Sequence, residues 1–142
     1  GAYSGFDGMK NYGTFTAYAS VRTDATLESV ELFRDIMAQY RAGVSQEVVD
    51  FTKGSLLKGN ALRFETNEAK LGMLNTMTFY GLPDDYVKQE EDYLRGLTVE
   101  QVNETVQKYI DPMKMYYVVV GDGATQFKGL KKVGFGEPVL VK

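Results

Sequence analysis

The chain of 142 residues contains no histidine, no cysteine and no tryptophan, and only three prolines. Without histidine, neither a Ser-His-Asp triad nor a Cys-His pair can be assembled. With cysteine absent too, the usual ligands of tight zinc sites are missing, and only carboxylate sites for Mg²⁺ or Ca²⁺ stay open in principle. Disulfides are excluded, so folding needs no oxidising compartment. No apolar run nears the roughly 18 residues of a membrane-spanning helix, and no membrane insertion is expected. Lys and Arg number 16 against 19 Asp and Glu. The formal net charge of −3 offers no field to a nucleic-acid backbone, so no nucleic-acid partner is expected. This chain is poorly equipped to be a complete enzyme.

What is present is ordinary globular material, 44% hydrophobic and 25% charged. The length suits one domain or part of one, spanning residues 1–142. The chain opens Gly1-Ala2-Tyr3 with no initiator Met, basic stretch or apolar signal core, and a fragment of a longer protein is expected, with Gly1 either native or a cloning remnant. Cytoplasmic or periplasmic placement would then depend on an upstream segment.

Gly13 to Arg22 alternates, with Phe15, Ala17, Ala19 and Val21 on one face, and reads as a strand with one buried side. Ala2 to Phe6 is its expected hairpin partner across a turn-rich connection. Five helical stretches follow. Thr26 is expected to cap the first, with an inward stripe of Val30, Phe33, Ile36, Met37 and Tyr40, ended by Gly43. Ser45 opens a long second helix through Val48, Thr52, Leu56 and Leu62, where Gly54 and Gly59 would admit a closely packed neighbour. Thr66 caps a third, with Ala69, Met73, Met77 and Tyr80 inward and Gly81 as a left-handed cap. Leu82-Pro83-Asp84-Asp85 starts a fourth. Thr98-Val99-Glu100-Gln101 is a capping box for a fifth, ended by Asp111-Pro112. Met115 to Val120 reads as a strand covered on both faces. Gly121-Asp122-Gly123 then breaks it, and residues 124–142 read as an irregular tail with a short possible strand at Pro138–Val141. The expected fold is α+β, an antiparallel sheet with helices packed on one face.

Candidate chemistry is thin. Asp84-Asp85 and Glu90-Glu91-Asp92 read as solvated helix faces, because adjacent helical residues diverge by roughly 100°. Gly121-Asp122-Gly123 fits no phosphate-loop spacing, and no capped helix is expected after it. Gly134-Phe135-Gly136 is no better, and Lys128, Lys131 and Lys132 read as a solvated patch. Most aromatics fall on core faces; Tyr3, Tyr12 and Tyr18 are the ones open to a ligand.

Several phrases in order resemble the carboxyl-terminal domain of the insulinase/pitrilysin-like (M16) zinc peptidases, of the mitochondrial processing peptidase type. They are Gly13 to Asp24; Gly43-Val44-Ser45-Gln46-Glu47; Leu62-Arg63-Phe64-Glu65-Thr66; Tyr80 to Tyr86; Leu97 to Val102; and Tyr109-Ile110-Asp111-Pro112 leading into Val118 to Asp122. Their order and spacing cover roughly residues 1 to 123. The resemblance implies one half of a metallopeptidase-like clamshell, truncated on its N-terminal side. The family's zinc sits on an H-x-x-E-H helix of the other, amino-terminal domain. No zinc is therefore expected in this chain, and zinc is expected in the catalytic domain of a parent protein. The family's substrate-reaching Arg and Tyr would align just upstream of residue 1, so no functional residue is carried over.

The implied function is a noncatalytic domain fragment that helps a zinc metalloendopeptidase enclose and position a peptide. The implied partners are a catalytic amino-terminal domain or subunit and the peptide substrate. A structural assembly subunit of the same fold, or a stand-alone peptide-binding module, is the alternative. Tyr3 and Ser4, on the strand next to the expected substrate cleft, are the candidate substrate-binding residues. Self-association through an exposed sheet face or edge is also expected.

Overall fold

The computed structural model describes residues 1–60 and 62–141. Two strands come first, β1 (Ala2–Gly8) and β2 (Gly13–Ala19). Six α-helices follow: α1 (Thr26–Ala42), α2 (Gln46–Asn60), α3 (Asn67–Tyr80), α4 (Tyr86–Gly96), α5 (Val99–Tyr109) and α6 (Gly123–Leu130). Short 3₁₀ turns lie at Thr23–Ala25, Pro112–Lys114 and Lys131–Val133. The fold is α+β. The chain divides into two compact units: Gly1–Gly43 with Val106–Lys142, and Val44–Thr105.

The Val44–Thr105 unit is helical, and its helix ends are closed by its own side chains. Helix α2 begins at Ser45, whose Oγ accepts from the Val48 amide at 3.4 Å. The Thr66 Oγ1 accepts from the Ala69 amide at 3.1 Å to cap α3. Gly81 ends α3 at φ 65°, and its own amide and that of Leu82 donate back to the carbonyls of Thr78 and Met77. The capping box closes in both directions: the Thr98 amide donates to Gln101 Oε1 at 3.0 Å, and the Gln101 amide donates to Thr98 Oγ1 at 3.3 Å. Asn103 clamps the Val44 peptide, accepting from its amide at 2.8 Å and donating to its carbonyl at 3.3 Å.

Some expectations shift in this unit. The inward positions of α2 are Val49, Lys53 and Leu57, one residue along from the expected Val48, Thr52 and Leu56. The Lys53 ammonium explains the rotation: it donates to the carbonyls of Arg95 (2.9 Å) and Leu97 (2.7 Å), which close α4. Leu62 lies beyond α2 in a turn, its amide donating to the Gly59 carbonyl, and Ala61 of the expected long helix is outside the described residues. Gly54 and Gly59 admit no close neighbour, since an added Cβ at either meets open space. Helix α4 starts at Tyr86 rather than Leu82, because Pro83–Asp85 forms a turn that the Tyr86 amide closes onto the Pro83 carbonyl.

The other unit is held by one dense knot. Ile110 is 1% exposed, and Val106, Pro112 and Val133 are buried with it. Arg41, at the end of α1, donates to the carbonyls of Gln107 (2.6 Å) and Ile110 (2.7 Å), the unsatisfied end of α5. Arg34 donates to the Val133 carbonyl at 2.9 Å and to Asp35 at 2.7 Å. That second bond holds the Asp35 carboxyl below its ordinary range. Strands β1 and β2 pair antiparallel, with Tyr3 opposite Tyr18 and Phe6 opposite Phe15, as a two-stranded sheet.

Three expectations fail here. Thr26 does not cap α1: the helix follows a 3₁₀ turn, and the Thr26 hydroxyl donates to the Thr23 carbonyl. Met115–Val120 forms no strand and makes no backbone hydrogen bond among the described residues, and Tyr116, Val118 and Val120 are at least 83% exposed. The run is thus covered on one face only, not both. The expected irregular tail contains α6, whose cap is Asp122: its carboxylate accepts from the Ala124 amide (3.0 Å) and the Thr125 hydroxyl (2.9 Å). Gly123 sits at the first helical position, where an added Cβ would lie 3.1 Å from Leu140 Cδ1. That crowding disfavours a ligand over this helix end. Pro138–Val141 forms no strand.

Candidate functional site

A concavity lies wholly within the first unit. It is a cleft of about 800 Å³ lined by Thr14 to Val21, by Lys114 to Asp122, and by a stripe of α1. The stripe comprises Thr26, Ser29, Val30, Phe33 and Met37, which share one helical face. Tyr109 and Gln126 complete the wall.

The chemistry of the lining is muted. Its only charged residues, Lys114 and Asp122, stand at opposite ends of one wall, and Asp122 is engaged in capping α6. The Tyr117 hydroxyl donates to the Pro112 carbonyl at 3.1 Å, and its ring stacks on Phe135 at 4.3 Å. Partial burial raises its pKa, against the opposing charge of Arg34. A hydroxyl so held is protonated at neutral pH and committed to a carbonyl. Nothing in the wall pairs a nucleophile with a base.

The candidate substrate residues lie elsewhere. Tyr3 and Ser4 are on β1, both exposed and outside the cleft lining. As neighbours on a strand they face opposite ways: Tyr3 stacks on Tyr18 at 5.5 Å, while Ser4 stands opposite Ala17. Of the three tyrosines left open, Tyr18 lines the cleft, while Tyr12 lies exposed in the turn region before β2. Sequence reasoning missed Tyr109, Tyr116 and Tyr117 as cleft residues. The signal is the Met115–Val120 run, which marks a strand but not that it has no backbone partner among the described residues.

No group of three or more Asp, Glu, His or Cys converges among the described residues. With no imidazole or thiolate in the sequence, the residues present do not fit a zinc ion. Among the described residues no helix is long and apolar enough to cross a membrane.

No protein-family model matches the sequence, and no curated protein matches it either. Among solved structures, the inactive domain of an M16 peptidase from Pseudomonas fluorescens matches 79% of this chain, with a TM-score of 0.71 and 30% identity. The chain spans 27% of that structure's length. The α+β fold, the ordered phrases and this neighbour converge: the chain carries an M16 carboxyl-terminal-like domain fold.

Proposed function

We propose that the chain serves as noncatalytic material of an M16-type zinc metalloendopeptidase, closing with a catalytic domain over an extended peptide. The observation that carries this reading is its similarity to an inactive M16 domain, in a sequence with no histidine or cysteine. Enclosure orients the peptide and excludes water, which speeds hydrolysis without supplying metal or nucleophile. Zinc and bond cleavage then belong to the partner domain. Tyr3 and Ser4 are proposed to touch the peptide, since β1 has no second strand partner among the described residues. The same free edge favours self-association of the isolated chain through β1.

The chain alone is expected to retain no zinc after dialysis and to cleave no peptide. An H-x-x-E-H sequence is expected in the same polypeptide or in a neighbouring gene. Adding the chain to that catalytic partner should raise cleavage of an extended peptide at least ten-fold. Stoichiometric zinc with cleavage by the chain alone, or an unchanged rate after mixing, would overturn the proposal.

A further inference from the structure

The sequence holds two Asp-Gly dipeptides, Asp7-Gly8 and Asp122-Gly123. Such a pair reacts with itself. The glycine amide nitrogen attacks the side-chain carbonyl carbon of the aspartate, water leaves, and a five-membered succinimide ring closes. Water then opens the ring at either carbonyl. One opening restores aspartate; the other gives isoaspartate, whose backbone runs through the side-chain carbon. The water lost is regained, so no other reagent is consumed and the mass is unchanged. Glycine favours the reaction because it has no Cβ to obstruct the approach.

The structure holds the two pairs differently. The Asp122 carboxylate accepts from the Ala124 amide at 3.0 Å and from the Thr125 hydroxyl at 2.9 Å. Its backbone carbonyl accepts from the Gln126 amide at 3.0 Å, and an added Cβ at Gly123 would lie 3.1 Å from Leu140 Cδ1. Ring closure there would break the cap and unwind the first turn of α6. Asp7 is exposed near the end of β1, opposite Thr14, and no hydrogen bond or ion pair engages its carboxylate among the described residues. A Cβ added at Gly8 meets open space, and the turn closed by the Met9 amide on the Tyr12 carbonyl follows directly. Strand pairing resists the backbone rotation that closure needs, so the reaction proceeds through local opening of the hairpin beside its turn. We infer that Asp7-Gly8 is a self-modification site that forms isoaspartate in the folded protein, while the cap on Asp122 protects Asp122-Gly123. The extra backbone methylene would fall inside β1, where the register sets Tyr3 against Tyr18 and Phe6 against Phe15. Residues 2–6 would then no longer match β2. The reaction lies within one dipeptide, so the inference needs neither a partner nor the peptidase reading.

The test incubates the 142-residue chain for several weeks at neutral pH, folded and in concentrated urea. Trypsin then releases the peptides Gly1–Lys10 and Met115–Lys128, one with each Asp-Gly pair. Electron-transfer fragmentation distinguishes isoaspartate from aspartate in each. In urea the two sites are expected to react at rates within two-fold of one another. In the folded chain, isoaspartate at position 7 is expected to exceed that at position 122 at least ten-fold. A folded ratio near one, or no isoaspartate at position 7 while the chain in urea forms it, overturns the inference. Asp7→Glu, which could close only a slower six-membered ring, should abolish the modification at that position; its persistence there would also overturn it. Thr125→Val removes one of the two bonds on the Asp122 carboxylate. With far-UV circular dichroism unchanged, it should raise isoaspartate at position 122 at least three-fold and leave position 7 as it was. No rise at position 122 would overturn the protective role of the cap.

Discussion

The two units differ in how they satisfy their backbones. In Val44–Thr105, Thr66, Thr98 with Gln101, and Gly81 close helix ends locally, while Lys53 and Asn103 close a helix end and a turn from across the unit. In the unit of Gly1–Gly43 with Val106–Lys142, long-range bonds from Arg34 and Arg41 tie the helices, while among the described residues β2 pairs only with β1 and Met115–Val120 has no backbone partner. Helices complete their hydrogen bonding within themselves; a strand is incomplete until a neighbour arrives. The difference sets a unit of helices against one in which β2 pairs only with β1 among the described residues.

The largest effect that can break this contrast is at Ile110, the only fully buried side chain described. Ile110→Ala is expected to cost about 3 kcal/mol through lost burial and a cavity, read by urea unfolding. Exchange at Asn67–Tyr80 should stay slow in conditions where the Ile110 knot has loosened. Simultaneous loss of protection in both places would show that the units are not independent in stability.

Arg41 comes next. Arg41→Ala removes a charged donor from two carbonyls at the end of α5 and is expected to cost about 2 kcal/mol. Arg22→Ala, which breaks only an exposed pair with Asp24, should lie within about 0.5 kcal/mol of zero. Equal losses would mean that the knot contributes no more than a surface ion pair.

Caps give smaller, local effects. Thr66→Ala and Thr98→Ala are each expected to cost about 1 kcal/mol, with faster exchange confined to the first turns of α3 and α5. Spreading of either effect to β1 or β2 would contradict local closure.

The smallest prediction concerns alkaline pH. Tyr117 has a raised pKa, so the folded state holds its proton more tightly than the unfolded chain. Its contribution is full below pH 10, the ordinary tyrosine value, and is lost as pH rises through the folded-state pKa. Tyr117→Phe should therefore flatten the alkaline decline in stability above pH 10. An unchanged slope would show that Tyr117 is not the titrating group.

The same contrast governs how much could be read from the sequence. Thr66, Gly81 and the Thr98–Gln101 box act over three or four residues, and all are where their spacing put them. The hairpin was legible because its partners are adjacent in the chain. The phrases that carry the M16 resemblance are largely such structural punctuation: Gly43 at φ 126°, Ser45 as a cap, Ile110 and Pro112 buried, Asp111 accepting from the Met113 amide. The rotation of α2 was not legible, since a lysine ranked as a surface residue turns inward to cap distant carbonyls. Helix α6 is not legible because Gly121-Asp122-Gly123 reads as a break after a strand, whereas Asp122 is a cap. The cleft is illegible for the same reason that Met115–Val120 reads as covered on both faces. Apolar content shows that a segment is built to be buried, but not whether its neighbours are among these residues.

Hydrogen exchange on the chain alone, dilute and without added peptide, tests the contrast most directly. Amides of Asn67–Tyr80 are expected to exchange at least a hundred-fold more slowly than those of Met115–Val120, with β2 between them. Comparable protection of Met115–Val120 and Asn67–Tyr80 would contradict the account, because the open edges would then already be paired.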